Sequence, residues 1–266
     1  MPELRWEMTV FDDPLGGKIV LWPYLPCVRM PAKMRPREWD GLALLCSEDE
    51  VQSLREEEDQ DKTSPGIHVE SASASGTTLG MLVKDLQELD IDGPSIPDPE
   101  RIRLLRHAEN SRGGMPIYPI EPDIEDEDWA DLQSKWADEQ VKLRNLIATI
   151  GRSRRWAKTR KGAISMVNRS KWATPDLGAA ATVCYAWWSE EGMALTEELS
   201  RIRTRRISSR LRGALADMRD LSGKEPNWWD SDSGPILLTP VQQAYLPSLQ
   251  NSLFACGDVE KVVREG

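Results

Sequence analysis

Residues 177–188, LGAAATVCYAWW, limit what this chain can fold into more than any other stretch. Wound as a helix they are apolar on nearly every side, so every face must be covered. Thr174-Pro175-Asp176 gives a start signal just ahead of them: a capping oxygen, a proline at the first helical position and an acid in the first turn. At about twelve residues the run is too short to span a bilayer. A core helix with other elements packed around it is the favoured reading, and insertion of Trp187 and Trp188 at a membrane interface is the other.

Helical patterns supply those elements. Leu79, Leu82, Val83, Leu86 and Leu89 share one face, and GPSIPDP ends that helix. A short helix follows Pro99, using Ile102, Leu104 and Leu105. Trp129, Leu132, Trp136, Leu143, Leu146, Ile147 and Ile150 form a stripe at three-and-four spacing, closed by Gly151. Leu195, Leu199, Ile202, Ile207, Leu211, Leu215, Met218 and Leu221 mark a longer helix stopped by Gly223, and Thr239-Pro240 opens a last one through Phe254. Only the N-terminus reads as β. There Trp6, Met8 and Val10 alternate, DDPLGG offers turn chemistry, and Ile19 and Leu21 alternate again before Pro23.

Two segments lack core-forming residues. Residues 47–78 are acidic first and rich in Ser, Ala and Gly after, which is the composition of a mobile segment. Residues 111–125, with Pro116, Pro119 and Pro122, read as a linker. The expected fold is mainly α: helical bundles with a small N-terminal β-hairpin and a mobile acidic, Ser-rich segment. The expected divisions are 1–46 for the hairpin and an extended segment, 47–78 for the mobile segment and 79–110 for the N-terminal helices. The linker at 111–125 then leads to a C-terminal helical domain over 126–266.

Charge is sorted along the chain. Residues 140–175 hold ten basic side chains and no acid, and residues 199–216 hold six arginines and no acid. Outside these blocks eighteen basic residues stand against all 44 acids, a balance of −26 in a chain whose net charge is −10. Residues 121–139, just before the first block, carry nine acids and one lysine. A solvated helix face is one reading of such runs. Exclusion of one sign over 36 residues, and the preference for arginine forks, point instead to a polyanion. Its expected binding residues are Arg152, Arg154, Arg155, Lys158, Arg160 and Lys161 in the first block, and Arg201, Arg203, Arg205, Arg206, Arg210 and Arg212 in the second. Nucleic acid, anionic lipid headgroups and the acidic surface of a second copy all fit. For the last, Asp123, Glu125, Asp126, Glu127, Asp128 and Asp131 form the expected self-association face.

Signals for chemistry are absent. No G-x-S-x-G, GxxxxGK[ST] or H-E-x-x-H motif occurs. The two histidines, His68 and His107, read as surface residues, and the exposed acid runs lack the burial that tunes a catalytic carboxylate. Cys27, Cys46, Cys184 and Cys256 are far apart, which suits reduced buried thiols better than a zinc site or a disulfide framework. Residues 1–16 contain acids and no continuous apolar run, so no signal peptide is expected. The expectation is a protein that is not an enzyme, with no metal, no cofactor and no small-molecule substrate.

Residues 178–199, GAAATVCYAWWSEEGMALTEEL, resemble without gaps the apolar helix and following turn of the influenza-type matrix protein. Gly178, Ala179, Ala181, Gly192, Thr196 and Glu197 match, and Thr182 stands where the family has serine. Upstream, VKL at 141–143 and the basic helix after it occupy the place of that family's basic helix. Length and helical character look like the thogotovirus branch of the orthomyxovirus matrix proteins. The resemblance implies a structural protein of the virion that coats the inner face of the envelope, passes through the host cytoplasm and nucleus, self-associates and binds viral nucleoprotein and RNA. The other reading of the same arginines is a nucleic-acid-binding regulatory protein of phage or bacterial origin.

Overall fold

A computed structural model describes residues 3–143, 145, 150–222 and 234–265, with the side chain of residue 194 left aside. Strands β1 (Thr9–Asp12), β2 (Lys18–Tyr24), β3 (Gly41–Leu44), β4 (Ile117–Pro119) and β5 (Ile236–Gln242) form one sheet in the order β1-β2-β5-β3-β4. Only β1 runs antiparallel to its neighbour; β2, β5, β3 and β4 are all parallel. The chain is thus an α/β protein, which corrects the expectation of a mainly α bundle with a hairpin. The hairpin exists, but as one edge of the sheet.

Burial on both faces explains why the other strands carry no alternating pattern. Ile19, Leu21, Ala43, Tyr118, Leu237 and Val241 point to one side, and Trp22, Leu42, Leu44, Ile117 and Leu238 to the other. Thr239-Pro240 lies inside β5 rather than opening a helix. β3 accompanies β5 only at Leu237 and Leu238, so at Pro240 the strand has one neighbour, a position that tolerates proline.

Helices cover both faces, giving three layers. Over one face lie α1 (Glu48–Thr63), α2 (Ile67–Ala74), α3 (Thr78–Gln87), α4 (Pro99–Asn110), α6 (Arg152–Ala163) and α7 (Pro175–Glu191). Over the other lie α8 (Glu197–Ser222) and α9 (Leu246–Ala255). A third, small cluster joins Trp129 and Leu132 of α5 (Glu127–Gln140) to Leu199. The Thr174 hydroxyl accepts the Leu177 N–H at 3.1 Å and starts α7. Leu177, Ala180, Ala181, Val183, Cys184 and Ala186 of that helix are buried, as an all-round apolar helix requires. Its end reaches both layers, with Trp187 against the first cluster and Trp188 against the second.

The segment 47–78, expected to be mobile, is mostly helical. Ser47 and Glu50 form a reciprocal capping box at the start of α1, and Val51 and Leu54 are buried. Its charge is answered from elsewhere: Arg55 pairs with Glu109 at 2.8 Å and with Glu265, and Glu58 pairs with Arg106. The expected linker contributes β4, whose three residues are buried. Since β2 pairs with β5 along its whole length, residues 1–46 and the C-terminal part share one core, and the expected boundaries do not separate them. The stripe beyond Trp136 also breaks, because α5 stops at Gln140 and Leu143 and Ile150 are exposed. Arg144, Leu146, Ile147 and Gly223 lie outside the described residues. Among the described residues no helix is long and apolar enough to cross a membrane.

Candidate functional site

The two basic blocks have different fates. In α8, Arg205 pairs with Asp258 at 2.9 Å, Arg206 with Asp126 and Glu260, Arg210 with Glu260 at 3.1 Å, and Arg212 with the buried Asp13 at 2.9 Å. Arg203 pairs with Glu121. Of the six arginines expected to hold a polyanion, only Arg201 is exposed without an ion pair among the described residues. Packing explains the difference: α8 lies across the sheet, so most of its faces meet protein, and acids from the connecting segments supply the counter-charge.

The expected acidic face divides the same way. Asp126 is bound to Arg206 and Asp131 to Lys135 at 2.6 Å. Asp123, Glu125, Glu127 and Asp128 are exposed and without an ion pair among the described residues.

Helix α6 keeps its charge at the surface. Arg155 pairs with Glu190 at 2.8 Å, and Arg160 with Asp85 at 2.6 Å, the carboxylate oxygen that also accepts the Trp156 indole N–H at 2.7 Å. Arg152, Arg154, Lys158 and Lys161 have no ion pair among the described residues. The first turn of α6 holds three arginines and no acid, and Gly151 at its cap offers no side-chain hydrogen bond. Cations there oppose the helix dipole, and Arg154 and Lys158 repel at four-residue spacing. Each unfavourable feature costs a few tenths of a kcal/mol, roughly 0.2–1.

Beside α6 a groove runs toward α7, with Arg160, Lys161 and Arg169 on its walls. A second groove shares Arg169 and Ser170 with it and adds Lys33, Lys171 and Trp172. The exposed Trp172 ring has the Lys33 ammonium 4.3 Å and the Lys171 ammonium 4.6 Å from its centre.

A smaller, separate cavity of about 70 Å³ sits at the carboxyl edge of the sheet. Tyr24, Leu44 and Gln242, the last residues of β2, β3 and β5, line it together with Glu121, two residues beyond β4. Arg101 of α4, Arg203 of α8, Trp188 and Tyr245 complete the wall. Burial pushes the Glu121 carboxyl up, against the pull of Arg203, and pushes the Tyr24 hydroxyl up as well. Burial also raises the nearby Cys46 thiol to about 11, with Arg101 opposing, which disfavours the thiolate there. Of this group the sequence singled out only Arg203 as a binding residue. Tyr24, Arg101, Glu121 and Gln242 belong to no motif and come together only through the parallel pairing of the strands.

Comparisons with protein-family models, with curated proteins and with solved structures return no match for this chain.

Proposed function

We propose that the protein binds single-stranded nucleic acid along α6 and the 169–172 segment. One observation carries this reading: Arg152, Arg154, Lys158 and Lys161 stand without acidic partners among the described residues, next to a groove that leads to an exposed tryptophan flanked by lysines. Phosphates along α6 would relieve both the repulsion between neighbouring cations and the clash with the helix dipole. Trp172 gives a face on which a base can stack without sequence preference. The helix is about 18 Å long at 1.5 Å per residue, enough for several phosphates.

A second reading, an anionic membrane surface, is favoured by exposed apolar residues at both ends of the helix, Ile150 (86% exposed) and Ile164 (66%). The assembly role implied by the matrix-protein resemblance would use this same face, with Asp123, Glu125, Glu127 and Asp128 of a second copy as its complement. The test is fluorescence anisotropy with a labelled RNA oligonucleotide, run beside co-sedimentation with phosphatidylserine vesicles. The expected result is RNA binding whose logarithm falls with log salt by about 0.7 per phosphate contact. The double variant Arg154→Glu, Lys158→Glu should lose it. Binding to vesicles alone would shift the reading to the membrane, and binding to neither would remove it.

A further inference from the structure

The groove between α6 and α7 has an aliphatic floor beneath a cationic rim. Its volume of about 850 Å³ falls among ligand pockets, roughly 300–1,000 Å³. Ile164, Val167, Ala173 and Ala179 line it, and among the described residues no aromatic ring does. The hydroxyls on its α7 side are engaged within the chain: Thr182 donates to the Ala179 carbonyl at 2.7 Å, and Thr174 caps the helix.

Gly178 lines the same floor from inside α7, where glycine is a poorer helix former than alanine. Packing does not require it. A Cβ there would meet only Cγ1 of Val167, at an ordinary 3.9 Å. The absent side chain leaves bare helix backbone on which a ligand can close.

The charge above this floor is positive. Asp85 answers Arg160 at 2.6 Å, whereas Lys161 and Arg169 are exposed and have no ion pair among the described residues. Two further acids lie close by: Asp176 in the first turn of α7, and Glu7 in the adjoining groove, where Lys33 and Lys171 join Arg169. Five cations (Arg160, Lys161, Arg169, Lys33 and Lys171) against three acids (Asp85, Asp176 and Glu7) leave an excess of two.

We infer that the groove binds the anion of a free fatty acid, its aliphatic chain laid over Gly178 and Ala179 and its carboxylate held by Lys161 and Arg169. A concave groove accepts a single chain from water, whereas a bilayer surface would touch only the rim. The inference goes beyond nucleic-acid binding, which uses the cations and leaves the apolar floor unexplained.

Titration calorimetry with octanoate, decanoate and dodecanoate, each below its micelle concentration and with no RNA present, tests the inference. One saturable equivalent is expected, tightening about twofold to fourfold for each added methylene. Affinity that ignores chain length overturns the inference, and so does equal binding of decyltrimethylammonium, which carries decanoate's apolar tail on a cation. Binding to phosphatidylserine vesicles without binding of dodecanoate overturns it too and gives the groove to a membrane. Gly178→Leu fills the floor and favours the helix, so it should melt at or above wild type and lose dodecanoate affinity by about tenfold or more. Unchanged affinity in that variant overturns the assignment. The double variant Lys161→Gln, Arg169→Gln changes only exposed side chains without ion pairs and gives a second reading if Gly178→Leu fails to fold. Its dodecanoate affinity should fall about tenfold while decyltrimethylammonium binds no more weakly, and an unchanged dodecanoate affinity counts against the site.

Discussion

Arg206 holds Asp126 in a two-pronged ion pair, Nη1 to Oδ1 at 2.8 Å and Nη2 to Oδ2 at 2.5 Å. One partner comes from the acid-rich stretch at 121–139, the other from the acid-free block at 199–216. The same carboxylate caps α5 by accepting the Trp129 N–H at 2.9 Å, and the guanidinium lies 5.9 Å from the Trp129 ring centre. Charges that are far apart in the sequence thus meet inside one molecule. Head-to-tail assembly through these two residues would first have to break this pair.

Cap and ion pair can be separated at Asp126. Asparagine keeps a capping oxygen and loses the charge, so Asp126→Asn should cost less than about 1 kcal/mol for a pair this exposed. Asp126→Ala should cost about 1 kcal/mol more through the lost cap. Hydrogen bonds from Arg206, with help from the Trp129 N–H, hold the Asp126 carboxyl below the usual range. A depressed folded value gives stability that is fully present above the unfolded value of about 3.9 and is lost as pH falls through the folded one. Urea melts of wild type and Asp126→Asn should therefore differ near neutral pH and converge in strong acid. A constant gap at every pH would show that the charge is not the source.

The two basic blocks should respond differently to substitution. Arg212 and Asp13 are 8% and 1% exposed, so Arg212→Met leaves a buried carboxylate with Arg219, at 3.3 Å, and the Leu15 N–H, and should cost about 3 kcal/mol. Arg154→Glu should stay within about 0.5 kcal/mol of wild type, since Arg154 has no ion pair among the described residues and the change relieves a clash with the helix dipole. Denaturant midpoints decide between them. If Arg154→Glu also unfolds the protein, α6 is held by contacts its exposure does not suggest.

Local signals made the helices outside 47–78 readable and left the sheet hidden. Thr174-Pro175-Asp176 names the start of α7 because a cap acts within four residues. β3 and β4 are four and three residues long, too short to show a period, and burial on both faces removes the alternation that would mark them. Pro240 adds a false helix start inside β5. In 47–78 the capping box at Ser47 and Glu50 is present, but composition outweighs it, because the partners of its charges, Arg106 for Glu58 and Glu109 and Glu265 for Arg55, lie far along the chain. The cavity at the sheet edge was unreadable for the same reason: its residues are ordinary until strand order makes them neighbours.

Gly213 should tolerate no side chain. A Cβ there would lie 1.7 Å from the Glu260 carbonyl oxygen, where the C-terminal segment crosses α8 and the Glu260 N–H donates to the Ser209 carbonyl at 3.0 Å. Alanine is the better helix former by about 1 kcal/mol, so propensity alone favours Gly213→Ala. Displacing the crossing backbone should outweigh it and leave a net loss of roughly 1–3 kcal/mol. A variant as stable as wild type would mean that the segment does not cross there in solution.

The four thiols should divide three to one. Cys27, Cys46 and Cys184 are buried, and Cys256 is partly exposed. Burial raises Cys46 to about 11, and it pushes Cys27 and Cys184 up as well. Such a shift leaves Cys46 overwhelmingly in its thiol form at pH 8, and burial also keeps reagent away. Cys256, beside the Asp258 carbonyl at 3.6 Å, lacks that burial. The native protein should therefore release one equivalent from a disulfide reagent quickly and the other three only on unfolding, at the unfolding rate. Cys256→Ser should abolish the fast phase. Two or more fast equivalents would mean that the core around Tyr24 and Cys46 opens without global unfolding, and the sheet-edge cavity would then be open to solvent for part of the time.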